Sequence, residues 1–208
     1  MQIQIKNARL SFDNIHQPWR PMTGDAKYTA NFICLDDTTV VAIIDGKKRV
    51  LSHDKVQKIF DHMCKDRWQK TPPKLENYAY NRADGSTTRD EYTNEDGEYH
   101  DGYDSETMFF VAGKKEKDAP EGILIVDQKR KPVSPSAAHP VSGDYVNAVI
   151  NLFCYEYEGK KGISASLEAI QYKAKGEPFG ASKVEASAFD EEELEEEDMD
   201  DDDEDLAF

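Results

Sequence analysis

No apolar run in this chain approaches the ~18 residues that a membrane-spanning helix needs. The opening MQIQIKNARL also has no long apolar core of the kind a signal peptide carries. Membrane insertion and secretion are therefore not expected. Cysteine is scarce. Cys34, Cys64 and Cys154 are odd in number, far apart and form no CxxC pair. That argues against a disulfide framework and for free thiols in a reducing cytoplasm. HExxH, paired CxxC, Walker A and GxSxG patterns are all missing, which removes the common zinc, nucleotide and serine-hydrolase chemistries. The acidic NEDGEYHDGYD stretch fails the EF-hand pattern. The Gly97 register puts Tyr92 at the first ligand position, and the Gly102 register puts Gly97 there. His53, His62 and His100 have no partners at ligand spacing. No metal, no cofactor and no catalysis are expected.

The last nineteen residues lack any Lys or Arg, and fourteen of them are Asp or Glu. This tail carries -14 of the formal net charge of -16. The rest sums to -2, from 26 bases and 28 acids. The body is thus nearly neutral, and the low pI says nothing against a nucleic-acid partner for it. The acid then stops at Leu206, Ala207 and Phe208.

Strand patterns dominate the body. QIQIKNARLSF (2–12) alternates, with a change of register near Asn7. HQPWRPMTGD (16–25) reads as a loop, and YTANFICL (28–35) as a strand. TVVAII and KKRVLS flank Asp45-Gly46, a tight-turn pair. Ser52 suits a helix N-cap. Behind it, Val56, Ile59, Phe60, Met63 and Trp68 keep helical spacing until Thr71-Pro72-Pro73. Residues 74–105 are rich in tyrosine and acid and poor in aliphatics, so they are expected to form a partly flexible surface insertion, with room for a short hairpin. TMFFVAG (107–113) and GILIVDQ (122–128) are strands, and KRKPVSPSAAHP is a connector.

Two long strands follow, joined at Gly159-Lys160-Lys161-Gly162. Val146, Ala148, Ile150, Leu152 and Cys154 form one face of the first, a core face. Tyr145, Asn147, Val149, Asn151, Phe153, Tyr155 and Tyr157 form the other, mixing rings with amides. In the return strand, Ile163, Ala165, Leu167 and Ala169 are the expected core set. The fold expected is mainly β, an OB-fold-like antiparallel barrel with one amphipathic helix. The barrel domain covers 1–183, with its insertion at about 74–105. Residues 184–208 are the disordered acidic tail.

A surface for single-stranded nucleic acid needs cations to follow phosphates and rings to stack on bases. The candidate DNA-binding residues are Trp19 and Arg20; Lys47, Lys48 and Arg49; Lys129, Arg130 and Lys131; Tyr145, Phe153, Tyr155 and Tyr157; and Lys160 and Lys161. A further basic group is Lys114-Lys115-Lys117. Each alone is ordinary: lysines at turns are commonly just solvated, and strand aromatics commonly pack. The tail adds to the combination. It is a tethered polyanion that can compete with phosphate for a cationic groove at high effective concentration. Asp205, Leu206 and Phe208 make an apolar, carboxylate-ended tip suited to docking on a partner.

Several stretches also carry a family resemblance: Gly143-Asp144-Tyr145-Val146-Asn147, GKKGISASLEAIQYKAKGEPFG (159–180), RPMTGDAKYTANFI (20–33) and the helix ending near Trp68. Over roughly 1–180 the chain resembles phage single-stranded DNA-binding proteins that have an OB-fold and an acidic tail ending in phenylalanine. Within them it is most similar to a tailed-phage family long known only as a domain of unknown function. The resemblance implies sequence-independent coating of single strands in phage replication, recombination and repair, in the bacterial host's cytoplasm. It also implies tail contacts with polymerase or helicase-primase, and it leaves homo-oligomers open. Two other readings compete: an acidic-tailed interaction protein or DNA mimic that inhibits a host factor, and a metal-dependent nuclease.

Overall fold

The structure, a computed structural model, describes residues 1–44, 47–69, 75–87, 90–134, 136–137 and 139–179. The acidic tail with Asp205, Leu206 and Phe208, the Asp45-Gly46 turn and Thr71-Pro72-Pro73 lie outside the described residues.

Eight strands and one α-helix make up the described chain: β1 (Gln2–Trp19), β2 (Lys27–Ile44), β3 (Lys47–Leu51), α1 (His53–Trp68), β4 (Tyr80–Arg82), β5 (Met108–Lys115), β6 (Leu124–Val126), β7 (Tyr145–Tyr157) and β8 (Lys160–Ala174). The sequence reading placed a loop at 16–25 and two strands between 28 and 44. Instead β1 continues to Trp19, and β2 runs unbroken through Asp36 and Asp37. Such long strands curve through irregularities. The register shifts between Lys6 and Ala8, where Asn7 has a φ of 58°, as its alternation foretold. It shifts again after Ser11, where Phe12 has a φ of 47°. Thr38 stitches the first of these, since its Oγ1 accepts from Leu35 N–H and donates to Asn7 C=O.

Five strands form a ring. β1 pairs with β2 and β7, β7 with β8, and β2 with β5, all antiparallel. β5 and β8 complete the circuit in parallel through one residue pair, Gly113 and Ser166. The expected antiparallel barrel is thus corrected to a ring-like sheet with OB-like strand order. β4 is the reason: it occupies the other half of the same β5 edge, at Met108–Phe110.

The interior holds Ile3, Ile5, Leu10, Phe32, Phe110, Ile150 and Leu167, all at most 1% exposed. α1 packs on it with Val56, Ile59, Phe60 and Cys64. Ser52 caps the helix in extended conformation, and its carbonyl accepts from Lys55 and Val56 N–H. The core face of β7 is as its alternation requires, with Cys154 half-buried at its end. In β8 the expectation for Ala169 fails. Val149 pairs with Ala169 but Ile150 with Leu167, so Glu168 is an extra residue, and Ile170 enters the core instead. The three cysteines are free. Burial pushes the Cys34 thiol up to about 12 and the Cys64 thiol up to about 11.

The insertion is a folded lobe and not a loose excursion. Leu75 and Ala79 join the main core. Ala83 and Tyr103, with half-buried Tyr92 and Tyr99, pack on Ile33 and Phe109. Asn31 Nδ2 donates to the hydroxyls of Tyr92 (2.7 Å) and Tyr103 (3.1 Å). The short hairpin is present as a bridge between Thr93 and Tyr99, closed by N–H groups of Asp96 and Glu98 on Asn94 Oδ1. Tyrosine rings supply the apolar area that aliphatics lack here.

Candidate nucleic-acid interface

In OB-like folds the outer face of the second and third ring strands, flanked by the first loop and the last hairpin, takes oligonucleotides. Here those elements are β2, β5, the Arg20–Ala26 loop and the β7–β8 hairpin. The lobe covers the Asn31–Ile33 part of that face. From Asp90 to Thr107 it carries eight acids and no Lys or Arg. It therefore closes one end of the face with negative charge.

The uncovered part is a trough of 360 Å³ lined by Lys27, Thr29, Gly113, Lys115, Phe153 and Ser166, among others. Two exposed rings lie along or beside it, Phe153 (45%) in its lining and Trp19 (48%) against Lys27, and Tyr157 (69%) is exposed further along β7. Lys27 Nζ lies 5.3 Å from the Trp19 ring centroid, a cation–π contact. Its cations are partly balanced. Lys114 pairs with Glu168 at 2.5 Å, and Lys115 with Asp25 at 2.8 Å. Hydrogen bonds from Lys115 and Lys117 hold the Asp25 carboxyl below its ordinary range. Burial pushes Glu168 up, but hydrogen bonds from Lys114, Ser166 and Asn151 outweigh it, and its net shift is downward. Lys27 has no ion pair among the described residues.

A second, larger groove of 670 Å³ lies on the outer face of β1, β7 and β8. Lys6, Lys48, Arg130 and Lys173 line it, with Asn147 and Gln171 between them. None of these four cations makes an ion pair among the described residues.

The residues singled out in the sequence are therefore divided. Phe153 lines the trough and Trp19 stands beside it against Lys27, while Tyr157 and Lys160 are exposed at the hairpin tip. Lys48 and Arg130 meet at the groove. Lys47, Lys129 and Lys131 are exposed nearby in sequence, and the last two sit in a turn whose N–H groups bind Asp127 Oδ1. Arg49 faces α1, beside Lys55 and Lys58. Arg20 is paired with Glu116 at 2.7 Å. Lys161 lies over Trp68 and near Glu156. Two rings are engaged elsewhere. Tyr145 lies under the Arg9 guanidinium, 5.1 Å from its centroid. Tyr155 lies across Gly162, where an added Cβ would come within 2.6 Å of the ring. Lys6, Lys27 and Lys173 were not singled out, because none of them has a basic residue directly beside it in the sequence.

A family model described as Enterobacter phage Enc34, ssDNA-binding protein, matches residues 1–202. The chain belongs to that family. "Putative protein p50" of Acyrthosiphon pisum secondary endosymbiont phage 1 is 29% identical over 203 residues, covering 93% of this chain and 98% of that one. The fold is similar to the single-stranded DNA-binding protein of bacteriophage Enc34, with a TM-score of 0.59, 18% identity, and coverage of 91% of this chain and 90% of that chain. The same Enc34 protein in complex with ssDNA gives a TM-score of 0.59 and 18% identity over 86% of this chain and 89% of that chain.

Proposed function

We propose that this protein binds single-stranded DNA without regard to sequence and coats it during phage replication, recombination and repair. The observation that carries the proposal is the trough. It lies between the first loop and the last hairpin of an OB-like ring and combines exposed Phe153 with Lys27, against which the exposed Trp19 ring stands. Stacking on a ring is worth about 1–3 kcal/mol per base and tolerates any base. The acidic lobe at one end repels phosphates and confines the strand to the open half. Membership in a phage ssDNA-binding family supports the same reading.

The role is one of binding, without catalysis, in the host cytoplasm. The tail competes with phosphate for the cationic surface while the strand is absent. Once DNA displaces it, Asp205, Leu206 and Phe208 recruit polymerase or helicase-primase.

Titration of a fluorescent strand of about thirty nucleotides at two salt concentrations tests this. Tight binding that weakens steeply with salt is expected. A protein that binds no strand, even after removal of Asp190–Phe208, is instead the DNA mimic. Cleavage of the strand in magnesium or manganese would make it a nuclease.

A further inference from the structure

The larger groove differs chemically from the trough. No aromatic residue lines it, so it offers nothing for a base to stack on. No carboxylate lines it either, while Lys6, Lys48, Arg130 and Lys173 converge there without ion pairs among the described residues. Two acids beside lining residues, Asp127 next to Val126 and Asp37 at Asn7, make other hydrogen bonds. Asp127 Oδ1 accepts from Lys129 and Lys131 N–H, and Asp37 Oδ2 accepts from Asn7 Nδ2. Four clustered cations with no ion pair among the described residues repel one another, and an anion relieves that cost.

The two sites share one surface. Asn147 and Val149 of β7 line the groove, and Phe153 of the same outward face lines the trough. Asn147 to Phe153 spans roughly 20 Å along the strand. Asn151 lies between them and is held by Glu168 Oε1 at 3.1 Å.

Resting on the reading of the protein as a strand binder, we propose that the groove is a second contact on the same strand. It grips phosphodiester groups by charge alone, after the trough has taken the bases. The trough then sets affinity for short strands, and the groove extends the length of strand one molecule holds. A continuous polyanion leaving the trough along the β7 face meets the groove next, which favours the strand over the acidic tail as its occupant.

The test uses the full chain carrying Lys6→Glu and Lys173→Glu, both at exposed positions. An unchanged melting temperature verifies the fold. Binding is measured with oligothymidine of about six and about thirty nucleotides, lengths near the lower end of one OB site's range and well beyond it. The double variant should bind the short strand as wild type does. It should bind the long strand about tenfold or more weakly, with a salt slope shallower by about 1.4, that is 0.7 for each of two lost contacts. Unchanged affinity for the long strand overturns the proposal, and so does an equal loss at both lengths. Tighter binding of the long strand also overturns it, and names the tail as the groove's occupant. Trp19→Ala with Phe153→Ala separates the two readings. It should weaken both lengths; if it weakens neither while the groove variant loses the long strand, the trough reading fails and the groove stands.

Discussion

The ammonium of Lys27 sits 5.3 Å from the centre of the Trp19 ring, across the antiparallel pair that joins these two residues at the mouth of the first loop. The contact holds a half-exposed indole on edge to the trough and keeps a positive charge beside it. Trp19→Ala and Phe153→Ala should each weaken strand binding about tenfold, the loss of one stacked base at the lower end of its range. Neither should shift the melting temperature appreciably, because both rings are exposed. Fluorescence anisotropy and thermal melts read the two effects separately.

Salt should act strongly. A surface that neutralises about four phosphates gives a slope near -2.8, or roughly a fifty-fold loss of affinity between 50 and 200 mM salt. A nearly flat response would mean that the lysines around both sites remain in water.

The lobe depends on Asn31, which is 5% exposed and donates to two tyrosine hydroxyls. Asn31→Ala should destabilise the protein by about 1–3 kcal/mol by stripping partners from buried polar groups. Limited proteolysis should then cut between Asp90 and Thr107 in the variant and spare the wild-type lobe.

Glu168 sets a pH dependence. Its folded carboxyl lies below its ordinary range through Lys114, Ser166 and Asn151, after burial has pushed it the other way. A depressed folded value gives stability that is complete above the unfolded value and lost as pH falls through the folded one. Wild type should therefore outmelt Glu168→Gln at neutral pH. The gap should close in acid below the usual glutamate range, as melts across a pH series will report.

Removing Asp190–Phe208 should tighten strand binding several-fold, if the tail is a tethered competitor. Removing Phe208 alone should leave strand binding intact and weaken capture of replication proteins. Equal affinity with and without the tail would end the competition idea.

Local pattern carried much of the fold into view. Alternation marked the core face of β7, the break at Asn7 marked a bulge, and helical spacing marked α1. What stayed hidden depends on distant partners. The lobe folds because Tyr92 and Tyr103 find Ile33, Phe109 and Asn31, and nothing within 74–105 announces those contacts. Ala169 yielded to Ile170 through one extra residue that alternation does not show. The site was half legible for a similar reason. Runs such as Lys47-Lys48-Arg49 attract notice, whereas Lys6 and Lys173 become neighbours only when β1 and β8 flank β7.

The ring's weakest link is the lone parallel pair of Gly113 and Ser166, and both residues line the trough. A fully laddered cylinder can change girth only by tearing many bonds. This one has a seam, and the path proposed for the nucleic acid lies over it. Spreading the wall there would cost that bridge and the Lys114–Glu168 ion pair while leaving every antiparallel ladder intact, so the proposed seat could adjust to bases of unequal size.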